Sequence, residues 1–116
     1  MGTLRTDEIE KTYAAYRDRG ELENDCKLCG KPPLQSFQCW KIVRNDFPYD
    51  KIASVHHMFV PLRHVGESEL SPEEAEEFRE LKNGYLNEHY EFIIEAVQRR
   101  KTIPDHFHLH LIVAKN

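Results

Sequence analysis

The chain has 116 residues, of which 40% are hydrophobic and 31% charged. That balance suits one domain with a core of its own and excludes an extended disordered segment. Its 16 basic residues are outnumbered by 20 acidic ones, for a net charge of −4, which excludes an extended basic surface for coating nucleic acid. No apolar run approaches the ~20 residues of a membrane span, and no signal-peptide pattern opens the chain, so no membrane association and a cytoplasmic location are expected.

In chain order, residues 1–25 form a helical extension whose helix runs from Thr6 to about Arg17. Thr6 is its N-cap, Asp7, Glu8 and Glu10 favour its positive end, and Ile9, Tyr13 and Tyr16 give it a modest apolar face. Residues 26–35 hold Cys26, Cys29, Gly30 and the Pro32-Pro33 pair, and are expected to be a loop. Ser36 to Asn45 is β-rich, with Phe37, Cys39, Lys41 and Val43 alternating against Gln38, Trp40, Ile42 and Arg44. Phe47 to Asp50 turns the chain, and Ser54 to Pro61 is a second strand. Ser71-Pro72-Glu73-Glu74 is a strong helix start, and that helix is predicted to end near Asn83-Gly84 or Asn87. Tyr90 to Val97 is read as strand in preference to continued helix. Gln98 to Asp105 is a basic loop, and Phe107 to Ala114 a final apolar strand. Strands interspersed with two helices predict a single α+β domain on an antiparallel sheet.

The last of these strands carries the chemistry. His106, His108 and His110 alternate with Phe107, Leu109 and Leu111, so the three imidazoles share one sheet face while the apolar residues bury on the other. Same-face neighbours lie about 6.6 Å apart, so three rings in a row span about 13 Å and suit separate roles. Three polar rings on a purely structural face would all need partners, which makes acid–base, nucleophilic or metal chemistry the better reading. The Cys26-x-x-Cys29 pair has the spacing of a zinc knuckle, a redox pair being the alternative. Cys39 reads as a small hydrophobe on a strand.

The segment His106 to Ile112 resembles the signature of the histidine triad family, His-φ-His-φ-His-φ-φ with φ apolar, at all seven positions. The likeness extends over residues 24–116. His56 to His64 is similar to the family's strand ending in Pro-x-Arg/Lys-His, Asn45 to Tyr49 to the turn before it, and Cys26-x-x-Cys29 to the cysteine pair of its zinc-bearing members. The resemblance implies the family's antiparallel sheet with one long helix packed on it. It also implies a nucleotide hydrolase or nucleotidyltransferase acting at the α-phosphorus of dinucleoside polyphosphates or nucleoside phosphoramidates. His108 would be the nucleophile, forming a nucleotidyl-histidine; His110 would contact phosphate oxygens, and His56 would line the same pocket. Asn45 matches the ribose-contacting position, although an Asn before a turn is as often a turn-former. A structural zinc would be held by Cys26, Cys29, His64 and His106, and a homodimer is implied.

The sequence departs from the family just before the triad. Members carry a Gly-rich loop and a Ser or Thr three residues before the first histidine, where this chain has Ile103. Thr102 is a substitute, and Arg99, with Arg100 and Lys101, supplies charge for phosphates; a solvated basic turn is the alternative. His57, on the opposite face from His56, is expected to be structural, and His89 to be solvated in a turn. Two readings without turnover stand beside the enzyme: a non-catalytic nucleotide-binding module and a zinc-organised protein-interaction domain.

Overall fold

The computed structural model describes residues 3–20, 26–101 and 103–116. Five strands form one antiparallel sheet: β1 (Gln35–Ser36), β2 (Trp40–Arg44), β3 (Ala53–Pro61), β4 (Phe92–Ile94) and β5 (Leu109–Ala114), in the order β1-β2-β3-β5-β4. Helices α1 (Asp7–Asp18), α2 (Lys27–Gly30), α3 (Pro72–Asn83) and α4 (Tyr85–His89) complete an α+β architecture. Among the described residues, no helix is long and apolar enough to cross a membrane.

The register explains why the two faces differ. Ile42 pairs with Phe59 and Phe59 with Leu109, while Val43 pairs with Met58 and Met58 with His110. Cross-strand partners share a face, so one face gathers Trp40, Ile42, Phe59, Leu109 and Leu111, with Phe107 just outside the strand. Phe78, Leu81, Tyr85 and Leu86 of α3 and α4 pack onto that set. Trp40 anchors it: the indole stacks on Phe59 with ring centroids 4.4 Å apart, and its Nε1–H donates to the Glu74 carbonyl at 2.9 Å. The other face carries a smaller apolar patch of Leu28, Val43, Met58 and Val60, and beside it the histidines.

Several local expectations are corrected. β5 begins at Leu109, so His106 and His108 precede the ladder; the Phe107 N–H donates instead to the Val65 carbonyl at 2.7 Å. The extended backbone still alternates, and Phe107 and Leu109 enter the core as expected. The loop at 26–35 contains the single helical turn α2, made where the cysteine pair curls back on itself. α3 stops at Asn83, the first of the two ends expected; Gly84, with non-helical backbone, breaks the run and α4 then extends to His89. Phe37 and Cys39 pack with Trp40 and Ile42 despite their odd spacing, because residues 37–39 lie in the turn between β1 and β2. His89 ends α4, exposed, with its ring stacked on Tyr85.

The start of α3 is the cap the sequence announces: the Glu74 N–H donates to Ser71 Oγ (3.1 Å) and the Ser71 N–H to Glu74 Oε1 (2.8 Å). The same carboxylate accepts a two-pronged contact from Arg63, Nη2 to Oε1 at 2.6 Å and Nε to Oε2 at 3.1 Å. Arg63 thereby ties the segment leading to His64 onto the helix. The Arg63 hydrogen bonds hold the Glu74 carboxyl down at about 2, against an ordinary value of 4.5. A depressed carboxylate contributes stability that is present above the ordinary value and lost as pH falls through the folded one. Glu74→Gln is therefore expected to lower the thermal midpoint at pH 7 and to flatten its decline between pH 4.5 and pH 2, read by a pH series of thermal melts.

Candidate functional site

Two backbone groups decide how the histidines are protonated. A neutral imidazole carries one N–H, so a fixed partner on one nitrogen dictates the other. The His106 carbonyl lies 2.9 Å from His108 Nδ1 and must receive a hydrogen from it, which leaves the lone pair on His108 Nε2. The Tyr49 N–H donates to His56 Nδ1 at 2.9 Å, which puts the His56 hydrogen on Nε2. That hydrogen is donated to His110 Nδ1 at 2.8 Å, so His110 carries its own hydrogen on Nε2, where Tyr49 Oη is 3.3 Å away. Asn45 Nδ2 sits 3.2 Å from His56 Nε2, but both atoms bear hydrogens, since Asn45 Oδ1 already receives the Phe47 N–H at 2.8 Å. His108 presents a lone pair; His110 presents a donor.

Burial keeps these rings neutral. Desolvation, with Arg5 and His57 adding to it, pushes His56 down to about 4, and desolvation together with His56, His108 and Arg5 pushes His110 down to about 3. Burial also lowers His108, with Lys101 opposing its protonation.

The His108 and His110 rings line a cleft of about 290 Å³. Asn45 lines it, as do Arg100, Lys101 and Ile103. Arg99 is exposed and is not among the lining residues; the charge offered to the cleft by that loop comes from its two successors. His56 is likewise not a lining residue. It lies behind His110, with its Nε2 2.8 Å from His110 Nδ1. Thr102 falls outside the described residues. His57 points to the helix side, as expected, where its Nδ1 meets the Tyr90 hydroxyl at 2.7 Å.

The cysteine pair and two histidines converge at the far end of the row. Donor atoms of Cys26, Cys29, His64 and His106 all lie within 4.8 Å of one another, close enough to hold a metal ion. His106 Nδ1 is 3.4 Å from both sulfurs, and His64 Nδ1 is 3.3 Å from Cys29 Sγ. Bonds of about 2.3 Å to sulfur and 2.0 Å to nitrogen give a tetrahedron with S···N edges of about 3.5 Å, so these spacings fit such an ion. The fully buried His106 gives its Nε2–H to the Pro61 carbonyl at 3.0 Å, which keeps the Nδ1 lone pair on the sulfur side. α2 and the Lys41 ammonium, which donates to the Cys29 and Lys31 carbonyls at 3.2 and 2.8 Å, hold the cysteine turn in place.

What sequence reading did not find is the role of the N-terminal helix. Arg5, Tyr13 and Tyr16 line the cleft, and Tyr49 is the contact that orients His56. The tyrosines at helical spacing were visible as an apolar face, but nothing local says which surface that face covers.

Comparison with protein-family models finds no match, and neither does comparison with curated proteins.

The buried imidazoles carry a pH signature. A histidine lowered by folding favours the native state above its ordinary value near 6.5 and loses that advantage as pH drops toward the folded value. The thermal midpoint is expected to fall between pH 6.5 and pH 5, above the range in which Glu74 titrates. A His56→Asn variant should show a shallower fall over that window.

Proposed function

We propose that the protein is a nucleotide hydrolase or nucleotidyltransferase of the histidine triad type, acting at the α-phosphorus through His108. The observation that carries this reading is the opposed protonation of two adjacent rings in one cleft. His108 Nε2 offers a lone pair, and His110 Nε2–H offers a donor for a non-bridging phosphate oxygen. A neutral imidazole is a competent nucleophile near pH 7, and the His110 Nε2–H, which faces the Tyr49 hydroxyl at 3.3 Å, would turn to a phosphate oxygen as charge develops there.

In this mechanism His108 Nε2 forms a bond to phosphorus while the bond to the leaving group breaks and its electron pair departs with that group. The nucleotidyl-imidazolium keeps its Nδ1–H on the His106 carbonyl. Water then adds to phosphorus, the N–P bond breaks with its electron pair returning to Nε2, and the proton of the water passes to solvent. His56 is a positioning residue that fixes the orientation and tautomer of His110. Asn45 at the cleft wall suits a ribose hydroxyl. The candidate substrates are dinucleoside polyphosphates and nucleoside phosphoramidates.

The metal reading is a structural zinc on Cys26, Cys29, His64 and His106. Two thiols and two imidazoles form a closed donor set for that ion, and the ion would tether α2 to the sheet. It would stabilise the fold by an amount of order 10 kcal/mol, by analogy with zinc-finger peptides. A homodimer fits the open edge of β4, where Phe92 and nearby Val97 are well exposed, and light scattering in solution is the check.

Incubation with radiolabelled adenylate and guanylate donors should leave acid-labile label on His108. Nucleotide binding without label would instead support a non-catalytic binding module, and no binding a zinc-organised interaction domain. His108→Ala is expected to lower turnover by roughly 10³-fold or more with fold and metal content intact. Cys26→Ser should reduce bound zinc, measured by elemental analysis, and lower the thermal midpoint by tens of degrees, about 40 °C for loss of the full ~10 kcal/mol.

A further inference from the structure

The N-terminal segment is tied down at several points around one turn of the chain. The Thr6 N–H and hydroxyl donate to the two oxygens of Asp50, each at 2.7 Å, and the Lys51 N–H donates to the Leu4 carbonyl at 3.0 Å. Tyr13 and Tyr16 pack on Phe47 with ring centroids 5.1 and 4.9 Å away. These contacts fix Arg5. Its Nε–H donates to the Phe47 carbonyl at 2.7 Å, and its guanidinium lies 4.4 Å from the Tyr13 ring centre and 4.9 Å from that of Tyr49. Tyr49 in turn packs against both His56 and His110, at 4.5 and 4.9 Å. A cation has therefore been built into the wall of the cleft, one ring away from the paired histidines.

That placement is unusual on electrostatic grounds. The chain carries a net −4, yet the described lining of this cleft has five cationic residues, Arg5, Lys27, Lys31, Arg100 and Lys101, against the single acid Asp46; Lys31 is paired with Asp46 at 2.8 Å and Lys101 with Glu95, outside the lining, at 3.3 Å. Lys101 acts on His108 and Arg5 on His56 and His110, so positive charge flanks the imidazole row from both sides. Glu10 Oε2 is 3.8 Å from Arg5 Nη1, a partly buried ion pair too long for a hydrogen bond. Concentrating cations beside neutral, desolvated rings favours an anionic occupant, and the planar guanidinium matches phosphate oxygens best.

We propose that Arg5 is a substrate-binding residue that takes phosphate oxygens of the nucleotide, with the docked N-terminal segment as its platform. The proposal rests on the nucleotide reading above and adds to it a wall of the site contributed from outside the triad region.

The test compares AMP and GMP with adenosine and guanosine by calorimetric titration against the wild type, Arg5→Gln and Arg5→Lys. Arg5→Gln should weaken the nucleotides by about tenfold or more and change nucleoside affinity by less than about twofold, with Arg5→Lys falling between. Thermal melts and circular dichroism monitor the fold, and the Lys variant keeps the charge should Gln loosen the segment. Equal losses for nucleotide and nucleoside would make Arg5 a structural tether and overturn the proposal, as would nucleotide affinity unchanged in both variants. A wild type that binds no nucleotide would overturn the nucleotide reading itself, whereas binding that is indifferent to Arg5 would overturn this inference alone.

Discussion

The hydrogen bond from His108 Nδ1 to the His106 carbonyl is the constraint on which the site depends. An imidazole free to choose its tautomer would spend part of its time with a hydrogen on Nε2, where no lone pair would be left to act as a base or nucleophile. A backbone acceptor two residues away removes that choice, and because it is backbone, no side-chain substitution in the neighbourhood removes it. The same residue, His106, offers its own ring to the cysteine pair. The position of that ring and the position of the carbonyl are set by one stretch of chain, so the cysteine–histidine cluster and the cleft share one residue.

A second chain of fixed donors runs in from the turn before β3. It starts at the Tyr49 N–H, passes through His56 and ends with a hydrogen on His110 Nε2. Burial makes this relay rigid, since desolvation holds the imidazoles neutral and neutral rings have only one way to satisfy both neighbours. The two backbone groups thus produce opposite outcomes on adjacent rings, a lone pair on one and a donor on the other. Chemically this is more informative than the count of histidines, because a row of rings in one tautomer would offer only lone pairs or only donors.

The sheet separates the requirements of stability from those of chemistry. Trp40, Phe59, Leu109 and Leu111 take one face and are sealed by α3 and α4, with Glu74 serving cap, indole acceptor and Arg63 partner at once. The opposite face is left for polar rings, a small apolar patch and a cluster of cations. Ile103, standing where the resemblance predicts a hydroxyl, joins that apolar patch. The cationic lining of the cleft is accordingly supplied by Arg5 before α1, by Lys27 and Lys31 at α2 and just beyond it, and by the loop after β4.

The sequence by itself determined the elements whose signals are local. Period-two alternation from His106 onward sorted imidazoles from apolar residues, Ser71-Pro72-Glu73-Glu74 fixed the start of α3, and the Cys-x-x-Cys spacing marked half of a cluster close enough to hold a metal ion. Periodicity was enough there because a side chain's face follows from its own backbone. Only the tertiary structure decided which atoms meet: that His56 stands behind His110 instead of beside it, that Arg100 and Lys101 reach the cleft while Arg99 does not, and that α1 folds over Phe47 to bring Arg5 to Tyr49. Those facts depend on loop paths and on contacts between residues some forty positions apart, for which neither hydrophobic period nor residue type carries a signal.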